Sequence, residues 1–90
     1  MRYFAALLRM HDAEKSQELR PQHLEFLMQK EKGGKIFARG RFADGTGGLV
    51  VYQAESLEDA KKIAESDPYV TSGARSLELH EWDMKSSQNR

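Results

Sequence analysis

Apolar residues alternate through residues 2–10: Phe4, Ala6, Leu8 and Met10 fall on one side of an extended strand, and Tyr3, Ala5 and Leu7 on the other. Apolar side chains on both sides mark a central strand, buried on both faces. Residues 11–18 are polar and read as a loop. A helix follows, with Pro21 in its first turn, where a missing N–H costs nothing. Leu24, Leu27 and Met28 form its apolar stripe, Phe26 widens it, and Gly33-Gly34 ends it. On the helical wheel His23 falls between Phe26 and Leu27, on the flank of the apolar face.

Residues 35–42 read as a second strand, with Ile36 and Ala38 on one face and Phe37 on the other. The glycine-rich turn at 43–48 joins it to a third strand at 49–54, so the two make a hairpin. In the third strand Leu49 and Val51 face one way, and Val50 and Tyr52 the other. Ser56 caps a second helix over 57–66, whose stripe is Leu57, Ala60, Ile63 and Ala64. A fourth strand spans 75–84, and a polar tail, expected to be disordered, fills 85–90.

The order β-α-β-β-α-β is the split pattern of ferredoxin-like folds, an α+β architecture. It places two helices on one face of a four-stranded antiparallel sheet. The first and third strands are apolar on both faces, so the uncovered sheet face predicts a homodimer.

Length and charge narrow the function. At 90 residues the chain reads as one domain over residues 1–84 with the tail beyond. Lys+Arg and Asp+Glu number 14 each, which argues against a dedicated nucleic-acid binder. Without cysteine there is no disulfide, thiolate nucleophile or Cys-zinc site. No long apolar run opens the chain, so neither a signal peptide nor a membrane span is expected, and a cytoplasmic protein is the default.

The chemistry gathers at two residues. Continuing the stripe of the second helix brings Asp67 to the next inward position, and Pro68 ends the helix there. The acid then faces aliphatic residues at the negative end of a helix dipole. A structural role, an Asx turn before the proline, competes with a functional one, a carboxylate at the mouth of a pocket. His23 is the matching oddity on the first helix. Alone it reads as a core-edge histidine bonded to a carbonyl; with Asp67 it makes the minimum set for proton transfer, with either residue as the base. Arg20, three residues before His23, could reach the same cleft and hold an anion; its structural reading is a solvated arginine at a helix start. Lys35, Arg39 and Arg41 could add to that attraction. His11, His23 and His80 lack a zinc-ligand spacing, so no metal is expected. Residues 45–48 lack the Lys-Ser/Thr and helix of a phosphate loop and read as a hairpin turn. Trp82 reads as core or interface.

The chain resembles the YCII-related (YciI-like) family. The residues that carry the resemblance are Arg20-Pro21-Gln22-His23-Leu24-Glu25-Phe26-Leu27, Gly34-Lys35-Ile36, Gly40, Gly45 to Gly48, Ser56-Leu57-Glu58-Asp59-Ala60, Ser66-Asp67-Pro68-Tyr69-Val70 with Gly73, and Glu81-Trp82. The resemblance implies a dimeric α+β barrel, related in fold to muconolactone isomerases and cofactor-free monooxygenases. It implies a His–Asp active-site pair at the positions of His23 and Asp67. The chain departs from the family pattern at Arg41, where proline is common. Two functions fit. One is a cofactor-free enzyme doing isomerisation or elimination on a small anionic carbonyl or lactone compound, with His23 and Asp67 catalytic and Arg20 binding substrate. The alternative is a non-catalytic module that binds a small ligand or a protein, in which the same residues only shape a pocket.

Overall fold

The computed structural model describes residues 1–87; residues 88–90, the end of the expected tail, lie outside the described residues. The elements are β1 (Arg2–Met10), α1 (Ala13–Lys32), β2 (Ile36–Arg41), β3 (Gly47–Ala54), α2 (Leu57–Glu65), α3 (Pro68–Thr71) and β4 (Arg75–Trp82). The strands form one antiparallel sheet in the order β2-β3-β1-β4. This is the ferredoxin-like arrangement, with β1 inside the sheet as its two apolar sides require.

Strand register decides which side meets the helices. Phe4, Ala6 and Leu8 lie opposite Tyr52, Val50 and Gly48. That face packs with Leu27 of α1 and with Ala60 and Ala64 of α2 into the core. The other face carries Tyr3, Ala5 and Leu7, opposite Gln53, Val51 and Leu49 on one side and Trp82, His80 and Glu78 on the other. Phe37 sets its ring edge-on against Tyr3 there, at 5.2 Å between centroids. Trp82 is 43% exposed and Phe37 50% exposed.

The structure corrects the expected elements at four places. Residues 13–18, expected as part of a loop, belong to the first turns of α1. The side chain of Asp12 accepts from the Lys15 N–H at 3.1 Å and caps the helix. Pro21 therefore sits inside α1 and not in its first turn. The polar stretch escaped an apolar pattern because only Ser16 in it is fully buried. In β2 a bulge between Ile36 and Ala38 reverses the expected alternation: Ile36 pairs with Tyr52, whereas Ala38 pairs with Val51. Two expected stripe residues, Met28 and Leu57, are 59% and 46% exposed, so the helices present narrower apolar faces than their patterns suggest. Finally, a short third helix, α3, separates α2 from β4.

The turn expected at 43–48 does close the β2–β3 hairpin. The carboxylate of Asp44 accepts from the Thr46 N–H and hydroxyl, at 3.0 and 2.7 Å. Gly47 follows at φ +143, where a side chain would meet the backbone carbonyl of Leu8. Only glycine allows β3 to begin that close to β1.

Candidate functional site

The inward stripe of α1 runs Ser16, Arg20, His23 and Leu27, at alternating spacings of four and three. Ser16, His23 and Leu27 are buried. Because α1 begins at Ala13, Arg20 lies in mid-helix one turn before His23 and not at a helix start.

Asp67 lies between two helices. Ser66 caps the end of α2, and Asp67 is extended (φ −62, ψ 130), as the N-cap of α3 with Pro68 in the first turn. The second helix ends just before the acid, as expected, but the acid also opens a further short helix that the sequence did not predict. Its Oδ1 accepts from the Tyr69 N–H at 2.9 Å. The same oxygen lies 2.8 Å from Nδ1 of His23. The turn role and the contact with His23 are served by two lone pairs of one oxygen, but the carboxylate is buried behind the ring and does not stand at the mouth of a pocket as expected. Asp67 is fully buried, and its Oδ2 has no hydrogen-bond partner.

An ionised carboxylate only accepts, so with Asp67 ionised Nδ1 of His23 carries the proton and Nε2 keeps a free lone pair. Nε2 makes no hydrogen bond among the described residues. The ring is also held from its flat side. Tyr69 stacks on it at 3.9 Å between centroids and 16° between planes. The guanidinium of Arg75 lies over the Tyr69 ring at 4.3 Å and donates to Ser16 Oγ at 3.3 Å. Burial pushes the Tyr69 phenol up, Arg75 and Arg20 pull it down, and Asp67 adds a smaller upward push. Tyr52, in the core, is pushed up more strongly, by burial first and by the charge of Asp67 second.

His23 lines a cavity of about 290 Å³ between α1 and the sheet. Leu24 and Leu27 come from the helix wall; Leu8, Val50, Arg39 and Arg41 come from the sheet wall; Tyr69 and Arg75 complete it. The bulge in β2 is what brings Arg39 and Arg41 to this side, opposite Val50 and Gly48. Arg39 is held by Glu31 at 2.9 and 3.3 Å. Arg20 lines the same cavity.

The fold thus brings together His23, Asp67 and Arg20, the three residues singled out in the sequence. It adds Tyr69 and Arg75, which the sequence reading passed over. Tyr69 was findable, since the second residue after an Asx-turn aspartate presents its N–H to that side chain. The stack and the Arg75 contact come from tertiary packing and leave no sequence signal. His80 is on the open sheet face beside Glu78, at 2.7 Å, away from His23. Among the described residues no group of three His, Cys, Asp or Glu side chains is placed to hold a metal ion, and no helix is long and apolar enough to cross a membrane.

The family model described as the YCII-related domain matches residues 1–83. An uncharacterized protein of Bacillus subtilis (strain 168), YjpA, is 42% identical over 85 residues, covering 92% of this chain and 98% of that protein. Among solved structures, 5-chloro-2-hydroxyhydroquinone dehydrochlorinase (TftG) from Burkholderia phenoliruptrix AC1100, in complex with 2,5-dihydroxybenzoquinone, is similar at a TM-score of 0.79. That match covers 98% of this chain and 99% of the other at 19% identity, a likeness of fold alone.

Proposed function

This chain belongs to the YCII-related family, and on that premise we propose that it is a cofactor-free enzyme in which His23 and Asp67 carry out acid–base chemistry on a small anionic carbonyl or lactone compound. The observation that supports this best is the 2.8 Å contact between His23 Nδ1 and a fully buried Asp67, with the ring at the wall of a cavity. Asp67 fixes the imidazole tautomer. Nε2 removes a proton from the carbon beside a carbonyl, and the carboxylate steadies the positive charge that develops on the ring. Tyr69 holds the ring plane, so the base does not swing out of line. The same proton, returned at another carbon or followed by loss of a leaving group, gives isomerisation or elimination. The likeness in fold to a dehydrochlorinase, an enzyme of elimination by its name, is consistent with this class. Arg20, on the same wall, binds the anionic part of the substrate. We also infer that two copies pair through the open sheet face.

Hydrogen–deuterium exchange tests the chemistry without knowledge of the product. Small keto acids and lactones are followed by proton NMR in heavy water with the wild type, His23→Gln and Asp67→Asn. We expect exchange beside the carbonyl with the wild type, reduced about 10²- to 10⁴-fold in both variants. Asparagine keeps an acceptor for the Tyr69 N–H and removes a buried charge, so the melting temperature of Asp67→Asn should hold or rise. Exchange that persists in His23→Gln would remove the histidine as base. A large loss of stability in Asp67→Asn would make the carboxylate a structural group.

A further inference from the structure

The chain is neutral overall, with 14 basic and 14 acidic residues, yet four arginines converge on one cavity. No aspartate or glutamate lines it. The four are not equally free. Arg39 forks onto Glu31, and Arg75 is engaged with the Tyr69 ring and Ser16 Oγ. Arg20 and Arg41 make no hydrogen bond or ion pair among the described residues. They stand on different walls: Arg20 on α1, one turn from His23, and Arg41 at the end of β2. Between them the lining is apolar, with Leu8, Leu24, Leu27 and Val50.

Acid–base chemistry at His23 requires none of this second cationic wall. Like charges lining one cavity repel one another, and an anion relieves them. A guanidinium also matches a carboxylate or phosphate group in a two-bond fork. We propose that the cavity binds a small organic dianion: a short carbon skeleton with one anionic group held by Arg20 beside the imidazole and a second held by Arg41 on the sheet wall. The apolar strip between the two arginines takes the carbon skeleton, and a volume of about 290 Å³ suits a compact molecule. Arg41 is then a specificity residue. It chooses dianions over monoanions and does not touch the reacting carbon. The bulge at Ile36 and Ala38 is the device that turns it inward.

This inference rests on the reading of the cavity as the substrate site, but its test needs no turnover. Binding of succinate, phosphoglycolate, butyrate and inorganic phosphate is measured by titration calorimetry on the wild type, Arg41→Gln and Arg41→Lys. Succinate or phosphoglycolate should bind the wild type at least about tenfold more tightly than butyrate or phosphate, the worth of one charge-assisted contact. Whichever of the two is tighter identifies the end group. Arg41→Gln should lose that preference and keep the weak binding of butyrate; Arg41→Lys, which retains the charge, should keep part of it. Equal affinity for ligands with one and with two anionic groups in the wild type, or an unchanged preference in Arg41→Gln, would overturn the proposal. Exchange chemistry lost in His23→Gln with no dianion preference in the wild type would defeat this inference alone. Dianion preference without any exchange would defeat the acid–base reading alone.

Discussion

A single carboxylate oxygen, Oδ1 of Asp67, accepts from the Tyr69 backbone and meets the His23 ring. The sequence posed those two uses as alternatives because pattern reading assigns one role to one residue, whereas an oxygen has room for two partners. That Asp67 turns inward was legible, since the stripe Ala60, Ile63, Ala64 makes position 67 the next inward one. That α3 begins at this residue was not, because four residues carry no period. The buried charge also acts beyond His23. Burial first, and Asp67 second, raise the Tyr52 phenol above its ordinary 10.0. A raised phenol favours the neutral form in the folded chain, so this contribution to stability is complete below pH 10.0. It is lost as pH rises further, because the tyrosine of the unfolded chain ionises first. Stability from urea unfolding should therefore fall above about pH 10, and the fall should be shallower in Tyr52→Phe. Parallel pH profiles in the two proteins would show that Tyr52 is not its source.

Two elements differ from their sequence patterns for separate physical reasons. Helix α1 starts earlier than its apolar stripe because residues 13–20 need only a cap and good helix formers to continue a helix outward. Asp12 supplies the cap, and alanine, glutamate, lysine and glutamine supply the propensity. Hydrophobic period reports burial, and this half of the helix buries little. The bulge in β2 is invisible for a different reason: it is a register choice made against β3, and nothing within residues 36–41 announces it. Its effect is large, since it reverses the face of every residue after Phe37. The helix result carries a prediction. Pro21 has no N–H to give the Gln17 carbonyl, the acceptor one helical turn earlier. Pro21→Ala restores that bond and should stabilise the fold by about 2 kcal/mol, after the greater freedom of the unfolded alanine chain is subtracted. Urea unfolding measures it. An unchanged midpoint would mean that the helix already satisfies that carbonyl another way.

Over the whole molecule, the sequence showed that the central strands are apolar on both faces but not which residues meet the helices. Register settles that: Phe4, Ala6 and Leu8 face the core, and Tyr3, Ala5 and Leu7 face away. With the exposed Phe37 and Trp82 they form an apolar strip that no helix of this chain covers, bordered on β4 by His80 and Glu78. An apolar strip of that kind is better buried against a second copy than left in water. The His23 cavity lies on the opposite face, so pairing leaves it on the far side of the sheet. The decisive position is Ala5, on the inner strand between Val51 and His80. A glutamate there projects from the middle of the open face and leaves the helix-side core untouched. Two such charges brought together at a paired surface would each lose their water without gaining a partner. The wild type should therefore sediment as a dimer at micromolar concentration, and Ala5→Glu as a monomer with an unchanged circular dichroism spectrum. A wild type that sediments as a monomer would refute the pairing, and an Ala5→Glu chain that remains a dimer would move the interface to another face.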